Sequence, residues 1–259
     1  MGPGDQGGTS QNRVRKAAPH APGQPGGPQH HHGKGCLFQA DARQRDAGLS
    51  QKKICGHNHV LPPLQEWPDM VNRTEPVMAE QVWVSDITYL RTEKGFIYLF
   101  LVTDAYSRKI MGYHLSQSLK ASGCISALRM AMHQRQYGKR PLVHHSDRGI
   151  QYCCDAYVEL LQRNHIQISM TQSGSPYDNA VAERVNGILK TELGLYATFP
   201  SYSMAVEPVC RAIEKYNNKR LHMSCNMMTP AQRHRQEITD GQKFNVNNVR
   251  AFQPEENEM

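Results

Sequence analysis

The strongest constraint in the chain is a run of three β-branched and aromatic segments from Gln81 onward: VWVSDITYL, FIYLFLVTD and KIMGYHL. They are joined by short turns, at Thr92 to Gly95 and at AYSR, and such runs with such turns form an antiparallel meander. The pattern then alternates, with helical periodicity around Leu119 to Gln136, a short strand in PLVHH, a helix from Tyr152 to Arg163, and a strand near Ile166 to Met170. The expected architecture is α/β, a sandwich whose five-stranded mixed sheet is flanked by helices. Beyond the Gly174-Ser175-Pro176 punctuation, helices are predicted near Asp178 to Leu193 and over roughly Met204 to Asn217. The polar stretch after Thr229-Pro230 is expected to fray.

The flanks read differently. Residues 1–35 carry Gly and Pro at a density that denies regular structure and almost nothing apolar to pack. The expected organisation is a disordered or atypical N-terminal segment (1–50), a basic linker (51–80) broken by Pro62, Pro63 and Pro68, a core with a trailing helix (81–232), and a C-terminal tail (233–259). Cys55, His57 and His59 fit no common metal-ligand spacing. The seven cysteines include no CxxC pair, so reduced thiols in the cytoplasm are the simpler reading. The longest apolar stretch, Phe96 to Val102, is strand-sized and far short of the roughly 20 residues of a membrane span. A net charge of +7 and a pI near 9.0 favour a polyanionic partner, although charge alone does not identify one.

Three acids stand out by context. Asp86 lies inside the first strand, where flanking Val84, Ile87 and Tyr89 are expected to be buried, and a carboxylate there needs a compensating charge. The bland alternative is an edge-strand aspartate facing water. Asp147 follows PLVHHS at the carboxyl end of a strand, where open α/β sheets place ligands, but Asp-Arg-Gly is also ordinary loop chemistry. Glu183 lies on the helix of SPYDNAVAERVNGILKTEL; at 100° per residue it shares a polar face with Asn179, Asn186 and Lys190, opposite Val181, Val185, Ile188 and Leu189. A polar stripe is by default a solvated face.

Sixty residues lie between Asp86 and Asp147 and 35 between Asp147 and Glu183; with the flanking VWVSDITY, HHSDRGIQY and SPYDNAVAERVNGILK, this arrangement closely resembles bacterial insertion-sequence transposases with a retroviral-integrase-type catalytic core. The resemblance runs from about Leu61 to Ala231. It implies a ribonuclease-H-like fold and a triad of Asp86, Asp147 and Glu183 that binds two Mg²⁺ or Mn²⁺ ions. It also implies that Lys190 contacts DNA near the reacting end, that Asn179 and Gln151 line the site, and that Arg184 joins the DNA-contacting set. The chemistry agrees: two ions roughly 4 Å apart offset the charge that protects phosphodiesters, and hard cations prefer carboxylate oxygens. His114, His144, His145 and the pair Cys153 and Cys154 then read as packing residues. Asp104 matches a structural family position and stays outside the triad.

The implied reaction is hydrolysis at an element's end followed by attack of the freed 3′-hydroxyl on target DNA, by a homo-oligomer without a membrane, associated with the nucleoid. The family's helical DNA-binding segment is not visible in residues 1–50, so an upstream-frame DNA-binding protein is an expected partner. The closing motif falls on Tyr216, Asn217, Arg220, His222 and Pro230, with Leu221 replacing the common proline. Two alternatives stay open: a non-catalytic DNA-binding regulator, and another ribonuclease-H-fold nuclease.

Overall fold

A computed structural model describes residues 67–71, 75–172 and 180–236. The expectations for residues 1–66 and for the last 23 residues fall outside them. Five strands form one sheet, β1 (Val82–Thr92), β2 (Gly95–Asp104), β3 (Ile110–Ser116), β4 (Leu142–Ser146) and β5 (Ile166–Met170), in the order β3-β2-β1-β4-β5. The meander β1-β2-β3 is antiparallel; β4 and β5 join it in parallel. Among the described residues five α-helices accompany the sheet: α1 (Ala121–His133), α2 (Asp155–Arg163), α3 (Ala180–Thr191), α4 (Tyr202–Asn218) and α5 (Pro230–Arg235). The expected mixed five-stranded α/β sandwich is the fold observed.

Strand alternation sorts side chains between two layers. On the first face Trp83, Phe100, Val102 and Met111 pack with Cys124, Ala127 and Leu128 of α1 and with Tyr157, Val158 and Leu161 of α2. On the second face Val82, Val84 and Val143 pack with Ala105 and with Ala182 of α3. Gly112 sits where β3 presses on α1: a Cβ there would lie 2.1 Å from the Ala127 carbonyl oxygen and 2.6 Å from the Ala131 nitrogen. Both are backbone atoms and neither can swing aside. Gly112→Ala is therefore expected to destabilise the protein by about 1–3 kcal/mol or more through forced separation of strand and helix, read as a lowered urea midpoint. An unchanged midpoint would show that the layers can part freely.

Two expectations need correction. Tyr89 is exposed and Ile87 only half-buried, because the end of the β1–β2 ribbon runs past the cover of α1. The stretch after Thr229-Pro230 begins as a helix: Thr229 and Gln232 form a capping box, Pro230 opens α5, and His234 is fully buried. The packed unit also reaches back ahead of Gln81, into the segment that composition reads as linker. Met70 and Val71 pack on the second face, the Met70 N–H donates to Ser169 Oγ at 2.8 Å, and Glu80 is wholly buried. Among the described residues no helix is long and apolar enough to cross a membrane.

Candidate active site

The parallel register of β1 and β4 sets the site. Val84 pairs with His145, so two residues further on Asp86 in β1 lies level with Asp147, the first residue beyond β4. Both continue the parity of Val84 and Val143, which face α3. Glu183 lies in the first turn of that helix. Sheet register and helix packing thus bring three carboxylates, distant in sequence, to one side of one sheet end.

Asp86 is half-buried and fully engaged. Its Oδ1 accepts the Ile87 N–H at 2.8 Å and its Oδ2 accepts the Asn186 amide at 2.6 Å. Burial raises its carboxyl to about 6, and the negative charges of Asp147 and Glu183 add to the rise against those two hydrogen bonds. Asp86 therefore lies in the field of both other acids. Among the described residues no three His, Cys, Asp or Glu side chains are grouped closely enough to hold an ion. Asp147 is exposed, its Oδ1 accepting the Gly149 N–H at 3.0 Å. A Cβ on Gly149 would lie 2.9 Å from Asp147 Oδ1 and 3.3 Å from Gln151 Oε1, so the glycine leaves room between carboxylate and amide. Arg148 ties the loop to the end of β5 through the Thr171 carbonyl (2.9 Å) and Gln172 (2.7 Å).

The donor set suits a hard cation. A half-buried carboxylate carries two further carboxylates in its field with no positive side chain among the causes of its shift, and the three acids offer oxygen ligands.

The remaining sequence-predicted residues divide. Gln151 lies beside Asp147 and donates to the Leu119 carbonyl at 3.2 Å. Lys190, seven residues after Glu183, recurs on the same side of α3 and is half-buried. Arg184 is exposed on another side, where its charge acts on Glu192, Tyr216 and His222 rather than on Asp86. Asn179 lies outside the described residues. His144 is buried in contact with Ser85 Oγ (2.7 Å) and the Tyr157 hydroxyl (2.8 Å), and burial pushes its imidazole down to about 3. His145 Nδ1 meets Ser169 Oγ at 2.9 Å.

Asn186 is the site residue whose role composition hides. Helical spacing puts it on the polar face, yet it is buried and spans from α3 to β1, with its Oδ1 lacking a hydrogen-bond partner among the described residues. The signal was its position three residues after Glu183, at the boundary between polar and apolar faces. The closing motif is a brace: Arg220 grips Glu192 through two bonds of 2.7 and 2.8 Å, Asn217 bonds both backbone polar groups of Ile110, and Tyr216 stacks edge-on to His222. It fixes α3 and β3 against α4. Asp104 has a structural place as well, accepting from the Glu80 N–H, the Ser107 N–H and Ser107 Oγ.

Residues 76–176 and 164–230 match two family models, each described as an integrase core domain. The chain is 34% identical over 173 residues to a putative transposase for insertion sequence element IS986/IS6110 of Mycobacterium tuberculosis, over 63% of this chain and 61% of that protein. It is 38% identical over 153 residues to transposase InsF for insertion sequence IS3A of Escherichia coli, over 59% of this chain and 53% of that protein. The matched region thus spans between half and two thirds of the length of these relatives. In fold it is similar to a chain of the cryo-EM structure of the simian T-cell lymphotropic virus intasome in complex with PP2A regulatory subunit B56 gamma. That likeness has a TM-score of 0.54 and 22% identity, and covers 68% of this chain and 61% of that chain.

Proposed function

Residues 76–230 belong to the integrase core domain family, and from that premise we propose that the protein is an insertion-sequence transposase, a polynucleotidyl transferase that cuts DNA ends and joins them to target DNA. The observation that carries the reading is the position of Asp86: level with Asp147 by strand register, and within the field of both Asp147 and Glu183. Asp86, Asp147 and Glu183 would together hold two Mg²⁺ or Mn²⁺ ions. Such ions supply neutralisation of the phosphodiester and activation of the attacking oxygen. The chain's own residues position the rest. Ile87 and Asn186 fix the Asp86 carboxylate from two sides, the Gly149 N–H orients Asp147, and the helix that carries Glu183 is held by the Arg220–Glu192 brace. Lys190, Gln151 and Arg184 are proposed DNA contacts, and the working form is a homo-oligomer on paired ends.

The test incubates the protein and Mn²⁺ with labelled duplexes ending in the element's own termini, together with a target plasmid. Joined products support transposition; cleaved but unjoined products point to a nuclease; retarded but intact DNA points to a regulator.

A pH prediction follows from Asp86. Its carboxyl is raised from an ordinary 3.8 to about 6, so its contribution to the metal-free fold is lost as pH rises through that interval and the carboxylate becomes charged. Cation binding needs that charged form. The rise in Tm produced by Mn²⁺ is therefore expected to grow between about pH 5 and 7 and to vanish in Asp86→Asn. A response that is flat over that range would contradict the assignment.

A further inference from the structure

The first face of the sheet changes character along the β1–β2 ribbon. Beneath α1 it is closed: the Phe100 ring lies where a Cβ on Gly123 would fall, 2.3 Å from its edge. Beyond that cover the same face continues as Tyr89 opposite Tyr98 and Arg91 opposite Phe96, with Tyr89 49% and Phe96 53% exposed. The rings interlock edge to face, Tyr89 with Tyr98 at 5.2 Å and Tyr89 with Phe96 at 6.2 Å. The Arg91 guanidinium lies 5.9 Å from the Phe96 centroid. The other side of the ribbon is sealed by buried Leu90, Ile97 and Leu99, and Phe199 bonds to the backbone of Arg91 and Glu93 at 2.9 and 3.0 Å. The rings therefore stand on a rigid support.

This ribbon projects past the acidic end of the sheet, with its rings on the face of α1 and Asp86 on the opposite face, that of α3. β4 pairs with β1 only along Val82–Val84, so the ribbon projects past Asp86; Tyr89 follows three residues later, about 10 Å further along the strand. Resting on the DNA reading above, we propose that Tyr89, Phe96 and Tyr98 form a stacking platform for the unpaired bases of a bound DNA strand, on the face of the sheet opposite the acids. Aromatic faces stack any base, and a neighbouring cation meets the backbone. Between Ile87 and Tyr98 the cations are Arg91 and Lys94 and the only acid is Glu93. A stable protein interface takes roughly 20–30 residues a side, and three rings are too few.

The experiment measures anisotropy of labelled oligo-dT and of a duplex of equal length, in EDTA so that no chemistry intervenes. Tyr89→Val with Phe96→Val keeps strand-forming side chains and removes the two most exposed stacking faces; Tyr89→Trp keeps a stacking face. The double variant is expected to bind oligo-dT roughly tenfold or more weakly, with duplex binding changed by less than about twofold and the tryptophan variant close to wild type. Melting curves matching wild type accompany the comparison. Undiminished oligo-dT binding, equal losses on both DNAs, or a change in sedimentation mass with oligo-dT binding intact would each overturn the proposal, the last by assigning the face to self-association. Failure of the wild type to join DNA ends would instead sink the transposase reading, and the metal-free titration does not depend on it.

Discussion

Asp147→Asn is expected to abolish metal-dependent cutting and joining, by a factor on the order of 10³ or more, while leaving the fold at least as stable as wild type. The amide keeps an oxygen to accept the Gly149 N–H, so the loop retains its turn. What disappears is one of the two negative charges that raise the Asp86 carboxyl. Removing that repulsion relieves the metal-free protein, so its melting temperature should hold or rise slightly. At a concentration of Mn²⁺ about 100 times its Kd, wild type should gain roughly 2.7 kcal/mol, and the variant should lose most of that gain. Retained joining activity in Asp147→Asn would exclude this carboxylate from the reaction. A collapsed melting temperature would mark it as structural instead.

The second large effect lies at the other end of β1. Glu80 is wholly buried and accepts from the Gln136 and Tyr137 N–H groups at 2.6 and 2.9 Å, from Arg135 at 3.2 Å and from His234 at 3.3 Å. Ser107 Oγ donates to Asp104 and faces His234 Nδ1 at 2.9 Å, so the imidazole can donate at both nitrogens, as its charged form does. Burial works to raise Glu80, but the hydrogen bonds from His234, Gln136 and Tyr137 outweigh it and leave it lowered. Burial likewise works to lower His234, and Asp104 with Glu80 overcomes it despite Lys109. Glu80→Gln leaves half-buried Arg135 without its carboxylate and His234 with Asp104 as its remaining counter-charge, and is expected to cost about 3–5 kcal/mol, seen as a much reduced melting temperature. The pH sign is fixed by the two directions. The raised histidine contributes fully below its ordinary 6.5 and loses that as pH rises past its shifted value. The lowered glutamate contributes above its ordinary 4.5 and loses that as pH falls. The gap between wild type and Glu80→Gln should therefore be widest between those two values; a gap independent of pH would mean that the pair is not ionic.

The meander and the helix–strand alternation were legible because their signal is local: β-branched runs, short turns and one period of hydrophobicity at a time. Asp86 and Asp147 were legible as acids at strand positions where a carboxylate is costly or where α/β sheets bind ligands. Asn186 was half legible, since helical spacing gives its azimuth but not which neighbour it meets, and only packing decides that its amide reaches β1. Tyr89 failed because alternation says which face a residue takes and not where the covering helix stops. α5 failed for a different reason: its burial rests on His234 joining Glu80 and Asp104, polar partners that hydropathy counts as surface. The capping box in Thr229-Pro230-Ala231-Gln232 was the readable hint.

That last joint has a temporal consequence. Glu80 and His234 lie 154 residues apart, so at roughly 5–20 residues per second a ribosome needs on the order of ten seconds between making one and making the other. Until then Glu80, which holds a left-handed backbone at φ 61, waits beside Arg135 without its imidazole. Nascent or prematurely terminated chains stay unlatched and open to proteolysis, and only a chain read through α5 closes the clasp.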